Sequence, residues 1–315
     1  MRILVTGGAG FIGSSVVDAY VAAGHQVSVV DDLSSGTRAN LNPRARFHHL
    51  DVRAEGLGAV VAAERPEIVS HHAAHVSVRR SVDDPVADAS VNVLGSLNVL
   101  EAARRHGVRR VVFASTGGAI YGEPDVVPAD ETHPCRPQSP YAVAKLAVEQ
   151  YLRYFRTTYG LEVVILRYAN VYGPRQDPHG EAGVVAIFVQ KILAGLPPII
   201  YGDGAQVRDY VHVADVVRAN VAAFDVAPGG AEPAVFNIAT GRGTSVKGLW
   251  AALAEVARPA VAPRHEPAKA GDLARSILDP ARAKRDLGWE PVIDLAAGLA
   301  GTWEWFAARA GQRAA

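Results

Sequence analysis

Tyr141 and Lys145 stand four residues apart in Tyr-Ala-Val-Ala-Lys, opening a stretch whose apolar spacing predicts a helix over 140–159. That spacing brings the two side chains onto one helical face, about one turn apart. A free phenol, with a pKa of about 10, is a poor base at neutral pH, but a neighbouring ammonium favours the phenolate. The pair could therefore take the proton of an alcohol. Taken alone, it describes a surface tyrosine beside a solvated lysine equally well. Its company favours chemistry: Ser115-Thr-Gly-Gly-Ala-Ile-Tyr-Gly122 closes the apolar run just before it, bringing hydroxyls to a strand end.

A hydride acceptor is implied at the start of the chain. Arg2–Thr6 is short, apolar and rich in β-branched residues, as a buried parallel strand is. Gly7, Gly10 and Gly13 follow at three-residue spacing, and Phe11, Ile12, Val16, Val17, Tyr20 and Val21 then repeat with helical period. A glycine-rich turn between strand and helix lets backbone N–H groups and the helix N-terminus receive a pyrophosphate. Three glycines alone would be an ordinary tight turn. Here a second strand, Gln26–Val30, leads to Asp31, eighteen residues past Gly13, where dinucleotide ribose hydroxyls are held. A carboxylate there repels a 2′-phosphate, so NAD is expected over NADP; nearby Arg38 is the residue that argues against it. A positively charged nicotinamide ring would also lower the pKa of Tyr141.

The elements that must position these groups alternate. Strand-like runs lie at Ile3–Thr6, Gln26–Val30, Arg46–His49, Ile68–His71, Val111–Ala114 and Val163–Arg167, with helical patterns at Phe11–Ala23, Leu57–Glu64, Pro85–His106 and Pro140–Tyr159. This predicts an α/β fold, a doubly wound parallel sheet of Rossmann type. Polar loops recur at the strand ends, where such sheets bind ligands: Asp31-Asp32-Leu33-Ser34-Ser35-Gly36 for the adenosine ribose, Asp51-Val52 for adenine, and His72-Ala73-Ala74-His75 against the cofactor. Each could be an ordinary loop, and the recurrence makes the case. After Tyr168 glycine and proline become frequent, so residues 1–168 are expected to form the NAD-binding domain and 169–315 mainly a smaller substrate lobe. Val211–His212 and Val235–Ile238 suggest a return to the sheet around 208–240, and a helix over 294–310 closes the fold before a frayed 312–315.

Formal net charge is zero over 315 residues, which disfavours nucleic acid and membrane as partners. The pairs Arg79-Arg80 and Arg109-Arg110 read as solvated surface. The first apolar run is too short for a secretory signal, and no stretch could span a bilayer. The lone cysteine, Cys135, fits a reducing cytoplasm. The eleven histidines show no repeated ligand spacing with carboxylate support, so no metal is expected.

The chain resembles the extended short-chain dehydrogenase/reductase family and, within it, the UDP-glucose (UDP-galactose) 4-epimerases. The resemblance runs nearly end to end, through the glycine turn, Asp31-Asp32-Leu33-Ser34, His72-Ala73-Ala74, Asn92, Tyr141/Lys145, Arg167-Tyr-Ala-Asn-Val-Tyr-Gly-Pro-Arg175, Val207-Arg-Asp-Tyr-Val211 and Gly271-Asp272. It implies tightly held NAD, contacted also by Phe11, Ile12, Asn92, Ser115 and Tyr168. It implies a UDP-sugar contacted by Thr116, Gly117, Asn170, Val184, Val185, Tyr201, Arg208, Lys269, Asp272 and Ser276, with Asn170 at the diphosphate or sugar. Arg208 would grip the diphosphate, since a guanidinium pairs two oxygens at once. Tyr141 would be the base, Lys145 would hold the nicotinamide ribose, and Ser115 and Thr116 would supply hydroxyls. A homodimer through the helices 85–106 and 140–159 is implied as well.

Two positions depart from the family pattern. Gly117 stands where a Ser or Thr usually bonds the sugar 4-hydroxyl, leaving Thr116 as the nearest hydroxyl, and Lys269 replaces an arginine. The same loop separates the chain from relatives. Sugar 4,6-dehydratases carry an Asp-Glu pair after the Thr and decarboxylases a nearby Glu, whereas here Gly117-Gly118 supplies no second acid–base centre. Oxidation at C4 with return of the hydride is the chemistry left. A dehydrogenase that exchanges its coenzyme and a silent NAD-binding regulator are the competing readings, and the regulator should have lost Tyr141 or Lys145. Ser276, where a bulky aromatic would restrict the pocket, leaves room for UDP-N-acetylhexosamines or UDP-glucuronate, with Arg175 a cation for the glucuronate carboxylate.

Overall fold

The computed structural model describes every residue except 179–182, 228–229, 231, 269–272 and 315, and the backbone alone of 312–314. Its strands are β1 (Arg2–Thr6), β2 (Gln26–Asp31), β3 (Arg46–His49), β4 (Ile68–His71), β5 (Arg110–Thr116), β6 (Glu162–Tyr168), β7 (Asn170–Tyr172), β8 (Ile199–Tyr201), β9 (Val207–His212), β10 (Ala234–Ile238), β11 (Gly243–Ser245), β12 (Arg264–Glu266) and β13 (Arg275–Ser276). Helices α1 (Phe11–Ala22), α2 (Leu57–Glu64), α3 (Val78–Asp83), α4 (Pro85–Ala89), α5 (Ser96–Arg105), α6 (Gly117–Ile120) and α7 (Pro140–Tyr159) fall in the first half. They are followed by α8 (Val184–Leu193), α9 (Val213–Ala222), α10 (Val246–Ala257), α11 (Ala281–Asp286) and α12 (Leu295–Ala314).

The large sheet has seven parallel strands in the order β10-β6-β5-β4-β1-β2-β3. The order reverses between β1 and β4, and the loops after those two strands flank the crevice where such sheets bind nucleotides. Helices cover both faces. α1 and α9 pack over one, through Val16, Val17, Tyr20, Val216 and Ala219. α2, α5 and α7 cover the other, through Leu57, Val61, Val99, Leu100, Val148 and Leu152. A third core, holding Val185, Phe188, Leu249 and Leu299, lies under α8, α10 and α12.

Four expectations change. The run 85–106 is helical throughout but not uniformly α: between α4 and α5 the backbone widens into a π-helical turn, Ser90–Gly95, which carries Asn92. Such turns frequently mark functional positions. Of the two late strands, Val235–Ile238 does return to the large sheet as β10, parallel to β6. Val211–His212 belongs instead to β9, which pairs with β7, β11 and β13 in a small sheet of the second lobe. Arg110 is not surface. Its guanidinium is buried, donating to the carbonyls of Ala223 (2.8 Å), Phe224 (2.6 Å) and Val226 (2.6 Å) beyond the C-terminus of α9, and pairing with Glu162. Arg109 shares that glutamate at 3.1 Å and stays exposed. The closing helix runs on to Ala314 where fraying was expected.

Candidate active site

α7 starts where its sequence says it should. Ser139 accepts from the Ala142 N–H at 3.3 Å as N-cap, Pro140 occupies the first turn, and Gly160 ends the helix at φ +70°. This places Tyr141 and Lys145 against the end of β5. Lys145 is buried, its Nζ donating to the Ala114 carbonyl at 2.9 Å and lying 6.0 Å from the ring centroid of Tyr141. Burial brings the lysine down to about 8, while the carboxylates of Asp88 and Glu149 hold it up. Burial also pushes the Tyr141 phenol up to about 12, against a lowering hydrogen bond from the Thr116 hydroxyl. The expected low-pKa phenol is therefore not a property of the chain alone, because desolvation outweighs the nearby ammonium.

Ser115 and Thr116 are neighbours on a strand, so their side chains point to opposite faces. Thr116 meets Tyr141. Ser115 is buried and donates to Glu149 Oε1 at 2.5 Å, so its hydroxyl supports the loop and is not turned to the phenol. Glu149 in turn holds Arg167, at 3.1 Å (Nε) and 2.6 Å (Nη2), and Arg167 donates to the Tyr121 hydroxyl at 2.9 Å. These buried charges are fully paired, which is the condition for their being tolerated there. At Gly117 a Cβ would run into the side chain of Leu278, which fills the space a serine would need.

The cofactor side is built from backbone. Gly7 sits at φ +70°, and a Cβ on it would lie 2.6 Å from the Ala73 nitrogen, so the turn packs directly on the loop after β4. Gly10 caps α1 without a side chain, and the first helical bond runs from Ser14 N to Gly10 O, leaving the N–H groups of Phe11, Ile12 and Gly13 ahead of it. Asp31 ends β2 with one oxygen receiving the Ala9 N–H at 2.9 Å and the other that of Leu33 at 2.8 Å. Burial pushes its carboxyl up, and the two N–H bonds pull it back. Each oxygen keeps a further lone pair for a ribose hydroxyl. Asp32 holds the turn by accepting from Ser34, next to Ser35 and Gly36. An uncapped helix start beside a buried carboxylate and a side-chain-free turn fits a dinucleotide.

Other expected contacts are placed differently. The Asp51 carboxylate is gripped by Arg53, Nε at 3.0 Å, which holds it below the usual range, and Val52 is packed against Gly95. His72 shares a hydrogen bond with Ser70 Oγ at 3.0 Å, and burial lowers it to about 3, so it is neutral. The Tyr168 hydroxyl accepts from Asn220 Nδ2 at 2.8 Å and donates to Asn220 Oδ1 at 3.2 Å in the core. Asn92 brackets the backbone of His75, its Oδ1 accepting from N at 2.9 Å and its Nδ2 donating to O at 3.0 Å.

On the substrate side, the small sheet brings together residues far apart in sequence. Asn170 lies opposite Tyr210, and Arg208 lies between Thr244 and Ser276 on adjacent strands. Ser276 is buried with its hydroxyl donating to the Gly118 carbonyl at 3.4 Å, and Asn170 Oδ1 lies 3.4 Å from where a Cβ on Gly118 would be. The glycine pair after Thr116 thus touches both strands of the second lobe. Val184 and Val185 open α8, Val185 buried in the third core, and Tyr201 is half-buried in β8. Lys269 and Asp272 lie outside the described residues. Arg175, the cation suggested for a glucuronate carboxylate, pairs with Asp18 of α1 at 2.7 Å, so it joins the lobes and is not a free pocket charge.

Sequence reasoning missed Glu149, Leu278 and Glu123. The Glu123 carboxylate accepts the N–H groups of Ala274 (2.9 Å) and Arg275 (3.2 Å), tying the catalytic loop to β13. Nothing in their spacing announces such partners, which lie from 18 to 161 residues away in sequence.

The sequence model of the NAD dependent epimerase/dehydratase family matches residues 3–239. The UDP-glucose 4-epimerase of Mycolicibacterium smegmatis is 49% identical over 311 residues, 97% of this chain and 98% of that protein. The solved UDP-glucose 4-epimerase of Thermotoga maritima with UDP-glucose superposes with a TM-score of 0.95 at 50% identity, over 98% of this chain and all of that one. The Thermus thermophilus UDP-glucose 4-epimerase in complex with NAD gives 0.91 at 48% identity, over 97% and 99%. With the family model spanning residues 3–239 and a relative 49% identical over nearly the whole chain, the chain belongs to the NAD dependent epimerase/dehydratase family.

Proposed function

We infer that the protein is an NAD-dependent nucleotide-sugar 4-epimerase that interconverts UDP-glucose and UDP-galactose through a 4-keto sugar. The observation that carries this reading is the buried Lys145, anchored to the Ala114 carbonyl at 2.9 Å with its Nζ 6.0 Å from the Tyr141 ring centroid, beside a loop that continues from Thr116 into two glycines. One proton-transferring centre without a second acid–base pair suits oxidation and re-reduction at a single carbon. It does not suit elimination. Bound NAD supplies the hydride acceptor, and its positive ring favours the phenolate. Tyr141 takes the proton of the C4 hydroxyl and returns it after the sugar has turned over. Thr116 shares the hydrogen-bonding work that Gly117 cannot do. Lys145 orients the ribose and stabilises the phenolate. Arg208 and Asn170 hold the diphosphate end while the ring reorients, and Lys269 and Asp272 are assigned to the same pocket by the family resemblance.

The test is turnover without added coenzyme. Purified protein should retain NAD and convert UDP-galactose to UDP-glucose in buffer free of NAD. Activity only with added coenzyme, or net accumulation of NADH, would show a dehydrogenase instead.

A second substrate reading rests on Ser276, buried against Gly118 in place of a bulky aromatic. UDP-N-acetylhexosamines rank behind the plain hexoses and UDP-glucuronate third, since Arg175 is already paired. Ser276→Tyr should depress activity on the larger sugars and spare UDP-galactose. Equal loss on all of them would remove Ser276 from the pocket wall. The same reading includes a cytoplasmic location, consistent with one unpaired cysteine, and a homodimer, taken up below.

A further inference from the structure

The loop that carries Ala73, Ala74 and His75 is pinned at both ends, and both pins lead to one ring. At its start the Ala73 N–H donates to Thr6 Oγ1 at 3.3 Å, and Thr6 Oγ1 lies 2.6 Å from His71 Nδ1. At its end Asn92 brackets the His75 backbone, and the Asn92 carbonyl accepts from Ser96 Oγ at 2.6 Å. Ser96 Oγ lies 2.9 Å from His71 Nε2.

The proton order of this chain is determined. The Ser96 hydroxyl has one proton and gives it to the Asn92 carbonyl, so it must accept from His71, which therefore carries its proton on Nε2. Nδ1 is then an acceptor and Thr6 donates to it, which leaves Thr6 Oγ1 free to accept from Ala73. Every member is satisfied in one direction only. Thr6, His71, Asn92 and Ser96 are all buried. Burial, with Lys145 and His72 nearby, lowers His71 to about 3, so the ring is neutral at any working pH.

We propose that His71 is a positioning residue for the cofactor: its two nitrogens fix both ends of the 73–75 loop against the glycine turn. Thr6 immediately precedes Gly7, whose close approach to the Ala73 nitrogen leaves the loop no slack at that end. The π-helical turn offers the Asn92 carbonyl to Ser96 while its amide faces His75. The ring is buried with both nitrogens bonded to Thr6 and Ser96, so the inference does not depend on which sugar is used.

The experiment uses the holoprotein and follows the release of NAD after dilution, alongside thermal melting of the cofactor-stripped protein. Thr6→Val and Ser96→Ala each remove one link at nearly constant shape. Each should speed NAD release about tenfold, as the loss of one or two net hydrogen bonds of ordering implies. The double variant should release NAD little faster than either single one, because both links act through the same ring. His71→Phe should match the double variant; if it fails to fold, the two flanking substitutions decide. Release within about twofold of wild type in both single variants, with only the apo melting temperature lowered, would reduce His71 to a core polar group. Effects that multiply in the double variant would also overturn the proposal, since they would make the two pins independent.

Discussion

At the level of single residues, the site is one buried phenol whose chemistry depends on its neighbours. Tyr141→Phe should cut turnover by about 10²–10⁴-fold while NAD stays bound, the usual cost of losing a general base; steady-state rates with a coenzyme-retention assay check both halves. The pH profile has a definite sign. Burial foremost pushes the phenol to about 12, so activity should rise with pH as the phenolate forms, and Lys145, lowered to about 8, supplies its charge only below that value. Lys145→Met removes a cation, so the ascending limb of kcat against pH should move to higher pH; an unmoved limb would mean the ammonium only orients the ribose. The placement of Tyr141, Lys145, Asp31 and the glycines was legible because it rests on local spacing. Ser115 was misread for a simple reason: the alternation of β5 sends only one of two adjacent hydroxyls to the phenol, and sequence does not say which. Leu278, which occupies the room beside Gly117, is 161 residues away and invisible to any local pattern.

Among the elements, the helix boundaries of α1, α2 and α7 could be read from apolar period, whereas the uses of Arg110 and of residues 207–212 could not. Arg110 looked solvated because the pair Arg109-Arg110 stands isolated in the sequence. Its burial follows from α9, whose carbonyls need donors and which lies about a hundred residues downstream. Arg110→Met should lower stability by about 3 kcal/mol by stranding those carbonyls, while Glu162 keeps Arg109, read as an early denaturant midpoint with an unchanged m-value. Residues 207–212 have strand composition, but composition does not choose between two sheets. The choice is made by β7, β11 and β13, each only two or three residues long and too short to announce itself.

Seen as a whole molecule, α4, the π-helical turn and α7 leave an apolar outer face, with Val86 78%, Leu94 60% and Val143 51% exposed and Tyr151 and Tyr154 also exposed along α7. Patches of this kind mark contact surfaces, and a self-complementary one suits a two-fold dimer. If the proposed homodimer forms through this face, Val86→Asp with Tyr154→Asp should shift sedimentation from dimer to monomer; a wild-type dimer that the substitutions leave intact would place the contact elsewhere, and a monomeric wild type would remove the dimer. The last consequence comes from β10. The large sheet takes its outermost strand from residues 234–238, after the chain has left to build much of the second lobe. Cutting at residue 168 would leave β6, buried along its length, with a bare row of backbone donors and acceptors, the condition that invites aggregation. The cofactor half is therefore not a severable module. A fragment that ends before residue 238 should be recovered insoluble, and during synthesis the sheet stays open on that side until the chain has travelled out through the sugar lobe and back.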